Sequence, residues 1–124
     1  MIKKFAGASV WSEDLNNLLP FYRDVLGLKV IHESPGFVVL GEDQPDSATL
    51  GLGTHSEVYG RNSDSARHMV GFESDDLNAD WQRLKGAGVE FIEDPTDYGG
   101  DMSIATLKDP EGNLVQLWQS RSES

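Results

Sequence analysis

The chain has 124 residues, 38% hydrophobic and 25% charged, a globular balance that suits one domain with a sizeable core. A formal charge of -11 and a pI near 4.4 repel phosphate backbones and anionic lipid, so neither nucleic acid nor a membrane is expected as a partner. Zero Cys excludes disulfides, thiolate nucleophiles and Cys-based metal sites, which leaves His and carboxylates as the strong metal ligands.

Met1-Ile2-Lys3-Lys4 opens the chain without a following apolar run of signal-peptide length, and a cytoplasmic location is expected. Residues 3–12 alternate as a strand does. Ser12 or Asp14 then caps a segment in which Leu15, Leu18, Leu19, Tyr22, Val25 and Leu26 recur at helical spacing until Gly27. Pro20 lies inside that pattern and kinks or shortens the helix. Residues 28–33 and 37–40, split by Ser34-Pro35-Gly36, read as a hairpin, and residues 47–54 as a further strand. The polar stretch 57–66 reads as a linker. A strand over 68–74, a helix over 77–87 with Leu77, Trp81 and Leu84 on one face, and a strand over 89–93 follow. Strands over 102–108 and 114–119 are joined by Asp109-Pro110-Glu111-Gly112-Asn113, a strong hairpin signal, and Arg121 to Ser124 form a solvated tail.

This order is one pattern written twice. Asp14-Leu15 is answered by Asp76-Leu77 at a spacing of 62 residues, and Leu26-Gly27-Leu28 by Gly86-Ala87-Gly88-Val89. A repeat at half the chain length implies two copies of one supersecondary unit, each too small to bury a core alone.

The phrases Phe21-Tyr22-Arg23-Asp24-Val25-Leu26-Gly27-Leu28, Leu84-Lys85-Gly86-Ala87-Gly88-Val89 and Asp109-Pro110-Glu111-Gly112-Asn113 carry a resemblance to the vicinal oxygen chelate superfamily. That superfamily includes glyoxalase I, extradiol dioxygenases and the bleomycin-resistance binding proteins. The resemblance implies an α+β fold of two tandem βαβββ modules forming a curved eight-stranded mixed sheet around a cup. The expected bounds are about 1–56 for module 1, 57–66 for the linker and 67–120 for module 2. It also implies a homodimer. Phe21, Tyr22 and Leu26 are expected to pack a helix on the sheet rather than touch a ligand.

In metal-dependent members the cup holds a divalent cation through His and Glu. The resemblance places those four positions at Gly7, near Gly51, at Met69 with His68 beside it, and at Gln116. That set offers one weak amide oxygen, so no metal and no cofactor are expected. The double change Gly7→His with Gln116→Glu is expected to raise metal affinity if the placement holds. A one-residue bulge before Met69 would turn His68 inward, but one imidazole does not hold a metal.

With Gly7 and Gln116 facing the cup, alternation turns Phe5, Ser9, Trp11, Leu114 and Trp118 the same way. Glycines 7, 51 and 53 are expected to widen the cup, with Met69 and Met102 as adaptable apolar walls. His55 either reaches the cup mouth or is a loop imidazole, His32 is expected at the surface, and Glu73 shares the strand parity of Met69. The candidate ligand-binding residues are therefore Gly7, Ser9, Trp11, Gly51, His55, Met69, Met102, Gln116 and Trp118. Such a lining suits an aromatic or cationic small molecule, bound rather than turned over, with an enzyme of altered metal site as the alternative. Trp11 and Trp118 filling a seam between sheets is the competing structural explanation.

Overall fold

A computed structural model describes residues 1, 3, 5–99 and 101–120; the expected solvated tail lies outside the described residues. The chain divides into two compact units, Met1–Gly60 and Arg61–Ser124.

The first unit contains β1 (Gly7–Ser12), a 3₁₀ turn (Leu15–Asn17), a π turn (Phe21–Val25), β2 (Val30–Ser34), β3 (Phe37–Gly41) and β4 (Thr49–Thr54). Its sheet runs β1-β4-β3-β2, with β1 parallel to β4 and the other neighbours antiparallel. The continuous helix suggested by the leucine spacing is broken. Pro20 has no N–H to give, and Leu26 N–H instead reaches back five residues to the Phe21 carbonyl at 2.9 Å. The apolar side of this segment still covers the sheet: Leu18, Leu19, Phe21 and Tyr22 are buried with Val38, Leu40, Leu50 and Leu52. Leu26 is only partly covered.

The second unit repeats the order with β5 (Val70–Glu73), α1 (Leu77–Gly86), β6 (Phe91–Asp97), β7 (Met102–Lys108) and β8 (Leu114–Ser120), and its sheet runs β5-β8-β7-β6. Leu77 and Leu84 are buried together with Ala105, Leu107, Val115 and Leu117. The eight strands thus form two four-stranded mixed sheets, each backed by helical structure on one face and open on the other.

The repeat extends to side-chain chemistry. Asp14 accepts from Asn16 N–H at 2.9 Å and Asp76 from Ala79 N–H at 3.1 Å, each capping its helical segment. Behind them Ser12 accepts from Asp14 N–H and Ser74 from Asp76 N–H. The turn after β7 is built on Asp109, which is 3% exposed and accepts from the N–H groups of Glu111 and Asn113 at 2.9 Å. Gly112 sits there at φ 84°, a conformation that only glycine adopts cheaply. Arg61 donates to Pro110 O at 3.0 Å and Asn62 to Asn113 Oδ1 at 2.7 Å, so the end of the expected linker is strapped to this turn.

Most strand limits differ from the sequence reading, β1, β2 and β4 all starting two or more residues later, and at β5 and β6 the reason is physical. β5 starts at Val70 rather than His68, since its ladder with β8 begins at the Val70–Val115 pair. β6 runs on through Pro95 to Asp97 instead of stopping at Glu93, because it is an edge strand and register shifts between Phe91 and Thr96 absorb the missing donor.

Candidate functional site: an aromatic platform on the first sheet

Register places Ser9 beside Gly51, Trp11 beside Gly53, Phe37 opposite Gly53 and Val39 opposite Gly51. These residues share the open face, while Val38, Leu40, Leu50 and Leu52 point to the core. The two glycines form a floor on which rings lie, and Gly51 also borders a hollow beside Phe37. A Cβ on Gly51 would stand 2.6 Å from Phe37 Cζ and 2.8 Å from Ser9 Oγ. Over Gly53 the six-membered ring of Trp11 and the edge of Phe37 occupy the same space.

The rings of Trp11 and Phe37 are 5.6 Å apart at 32°, tilted side by side, and His55 meets Trp11 edge-on at 5.5 Å and 75°. Trp11 keeps 42% of its surface exposed. A hollow of about 230 Å³ adjoins Phe37, bordered by Gly7, Ser9, Val39 and Gly51. His55 is tied down at both ends. Its N–H donates to Ser12 O at 2.9 Å, and its Nδ1 accepts from Glu57 N–H at 3.1 Å, which puts the proton of the neutral ring on Nε2.

The nine residues singled out from sequence are divided between the two units. Gly7, Ser9, Trp11, Gly51 and His55 belong to the first sheet and its edge loop; Met102, Gln116 and Trp118 share the open face of the second sheet, with Ile104 across from Trp118 and Thr106 across from Gln116. Met69, 40% exposed, precedes β5 and belongs to no ladder, as does the exposed His68. Phe5, expected to point inward from strand alternation, lies ahead of β1 and is 73% exposed, while His32 is exposed. Sequence alone does not single out Phe37. Its signal is cross-strand: it pairs with Gly53, a relation that needs the hairpin register.

The positions to which the resemblance assigns the metal ligands do not fit a cation. Gly7 and Gly51 have no donor, and neither can be given one cheaply. A Cβ at position 7 would run into the Thr49 carbonyl, so the Gly7→His probe distorts the β1–β4 pairing instead of installing a ligand. Gln116 contributes an amide and Met69 a thioether, and among the described residues no group of three His, Asp or Glu side chains gathers to hold an ion. A larger hollow, about 480 Å³, lies beside the start of α1. Three of its polar side chains are already engaged: Ser74 donates to Asp80 at 2.7 Å, and Gln119 bonds Leu77 N–H and Asp75 O.

On the second sheet a separate polar group forms around Glu93. Its Oε2 accepts from the Tyr98 hydroxyl and its Oε1 from Thr106 Oγ1 at 3.3 Å. The hydrogen bond to Glu93, followed by reduced hydration and then the carboxylate charge, holds the Tyr98 hydroxyl above the usual phenol value of 10.0.

A family model described as the Glyoxalase/Bleomycin resistance protein/Dioxygenase superfamily matches residues 4–117. The chain is 26% identical over 117 residues to a probable lactoylglutathione lyase of Vibrio cholerae, covering 87% of this chain and 84% of that one. It is 24% identical over 121 residues to the uncharacterized protein YetH of Bacillus subtilis, covering 94% and 98%. Among solved structures, TnmS3, an antibiotic binding protein from Streptomyces sp. CB03234, aligns with a TM-score of 0.73 at 22% identity over 97% of this chain and 98% of that one. Lactoylglutathione lyase from Agrobacterium tumefaciens aligns with a TM-score of 0.73 at 17% identity over 99% and 98%. Likeness at such identities establishes the fold, which a binding protein and a lyase share.

Proposed function

The chain belongs to the glyoxalase/bleomycin resistance protein/dioxygenase superfamily, and from that premise we propose that it binds a flat aromatic small molecule on the Trp11–Phe37 platform without a metal ion. The observation that carries this reading is the pair of rings seated over Gly51 and Gly53, with Trp11 still 42% exposed. A planar ligand stacked there gains about 0.5–1.5 kcal/mol per aromatic contact beyond the area it buries. A cationic ligand gains a comparable amount from the indole face. His55, with its proton on Nε2, offers one donor at the platform edge to an acceptor on the ligand.

A lyase reading would need a polarising cation, and the side chains at positions 7, 51, 69 and 116 do not supply its ligands. The test is calorimetric titration of chelator-dialysed protein with a panel of planar aromatic compounds, repeated on Phe37→Ala. Binding that is metal-independent and weakened by Phe37→Ala is the expected result; binding that appears only after divalent metal is restored would overturn the proposal.

A further inference from the structure

Glu93 stands on an edge strand with both carboxylate oxygens held by hydroxyls, Tyr98 on one side and Thr106 on the other. Two bonds to different oxygens fix the carboxylate's orientation and leave each oxygen a further lone pair. Hydroxyl donors do not neutralise its charge. Among the described residues no Lys, Arg or His pairs with Glu93, and the nearby Lys108 of β7 is engaged with Glu90 at 3.5 Å. Thr106 is 5% exposed, so one anchor is fixed in the sheet. Tyr98, 55% exposed, reaches back from the β6–β7 turn, which is closed by its N–H donating to Met102 O at 2.9 Å. Its ring thus rises beside the carboxylate. Ile104 and Trp118, paired across β7 and β8, continue the same face as an apolar surface.

An oriented carboxylate without a cation, flanked by an aromatic ring and an apolar face, is the arrangement that recognises an organic ammonium group. We propose that Glu93, Tyr98 and Thr106 form a binding site for a protonated amine bearing an apolar substituent, with the ammonium on Glu93 and the substituent on Ile104 and Trp118. This site stands on the second sheet alone and does not depend on the aromatic platform of the first.

The test is an amide NMR titration with phenethylammonium chloride, compared with 2-phenylethanol, its neutral counterpart. Phenethylammonium is expected to shift the amides of Glu93, Tyr98 and Thr106, with 2-phenylethanol leaving them in place. Glu93→Gln, whose amide oxygen can still accept from a hydroxyl, should weaken the ammonium response at least tenfold, and Trp11→Ala should leave it unchanged. An equal response to both compounds, an undiminished response in Glu93→Gln, or loss of the response in Trp11→Ala would overturn the site. The comparison of the two compounds on the unaltered protein needs no variant to fold. Failure of the platform would leave these shifts intact, so the two proposals fail separately.

Discussion

Trp11 covers Gly53: a Cβ built on that glycine would stand 2.5 Å from Trp11 Cζ3 and 2.9 Å from Phe37 Cδ1. Gly53 has no positive φ, so the requirement for glycine is the ring above it and not the backbone. Gly53→Ala should lift both rings and cost about 1–3 kcal/mol, the usual penalty for overpacking. Denaturant unfolding measures the loss, with a shift in tryptophan emission expected at the same time. An unchanged midpoint and spectrum would mean that the ring does not rest on the sheet.

Gly86 is the opposite case. It ends α1 in open space: a Cβ added there would meet nothing within 4 Å, and its φ is not positive. Gly86→Ala should therefore raise stability by about 0.4–1 kcal/mol, chiefly by restricting the unfolded chain. A higher unfolding midpoint with unaltered ligand response is the expected outcome.

Asp109 organises the turn between β7 and β8 with three hydrogen bonds, including one at 2.7 Å from Asn113 Nδ2. Asp109→Ala strands two backbone donors in a buried turn and should cost about 2–3 kcal/mol. Asp109→Asn keeps one acceptor oxygen and should lose less. Thermal unfolding of the two variants gives the order directly.

Tyr98 provides a pH test. Its hydroxyl is held above the ordinary value of 10.0 by donation to Glu93, so the folded value exceeds the unfolded one. The contribution of this bond to stability is then complete below the unfolded value and is lost as pH rises through the folded one. Ultraviolet titration should show Tyr98 ionising above the ordinary value in the native protein. In Glu93→Gln that tyrosine should return toward the ordinary value.

Much of this was legible in the chain because the rules are local. The cap at Asp14, one of two that the sequence offers there, the Asp109 to Asn113 turn and the limits of β7 follow from residue type and short spacing. What was hidden depends on register. Missing volume at Gly51 and Gly53 is visible in sequence, but that Phe37 and Trp11 fill it follows only once β3 and β1 are aligned on β4. Glu93 was obscured for a related reason, since the shifts in β6 break the alternation that would have assigned it a face. Pro20 is recognisable as a disturbance, yet its result, a 3₁₀ turn followed by a π turn, is settled by how Leu18, Phe21 and Tyr22 reach the core.

The most direct measurement is tryptophan emission of chelator-dialysed protein during titration with planar aromatic compounds, alongside Trp11→Ala. Saturable quenching by at least one compound, lost in Trp11→Ala and indifferent to added divalent metal, is the expected result. Quenching that survives in Trp11→Ala, or that requires the metal, would contradict a metal-free aromatic platform.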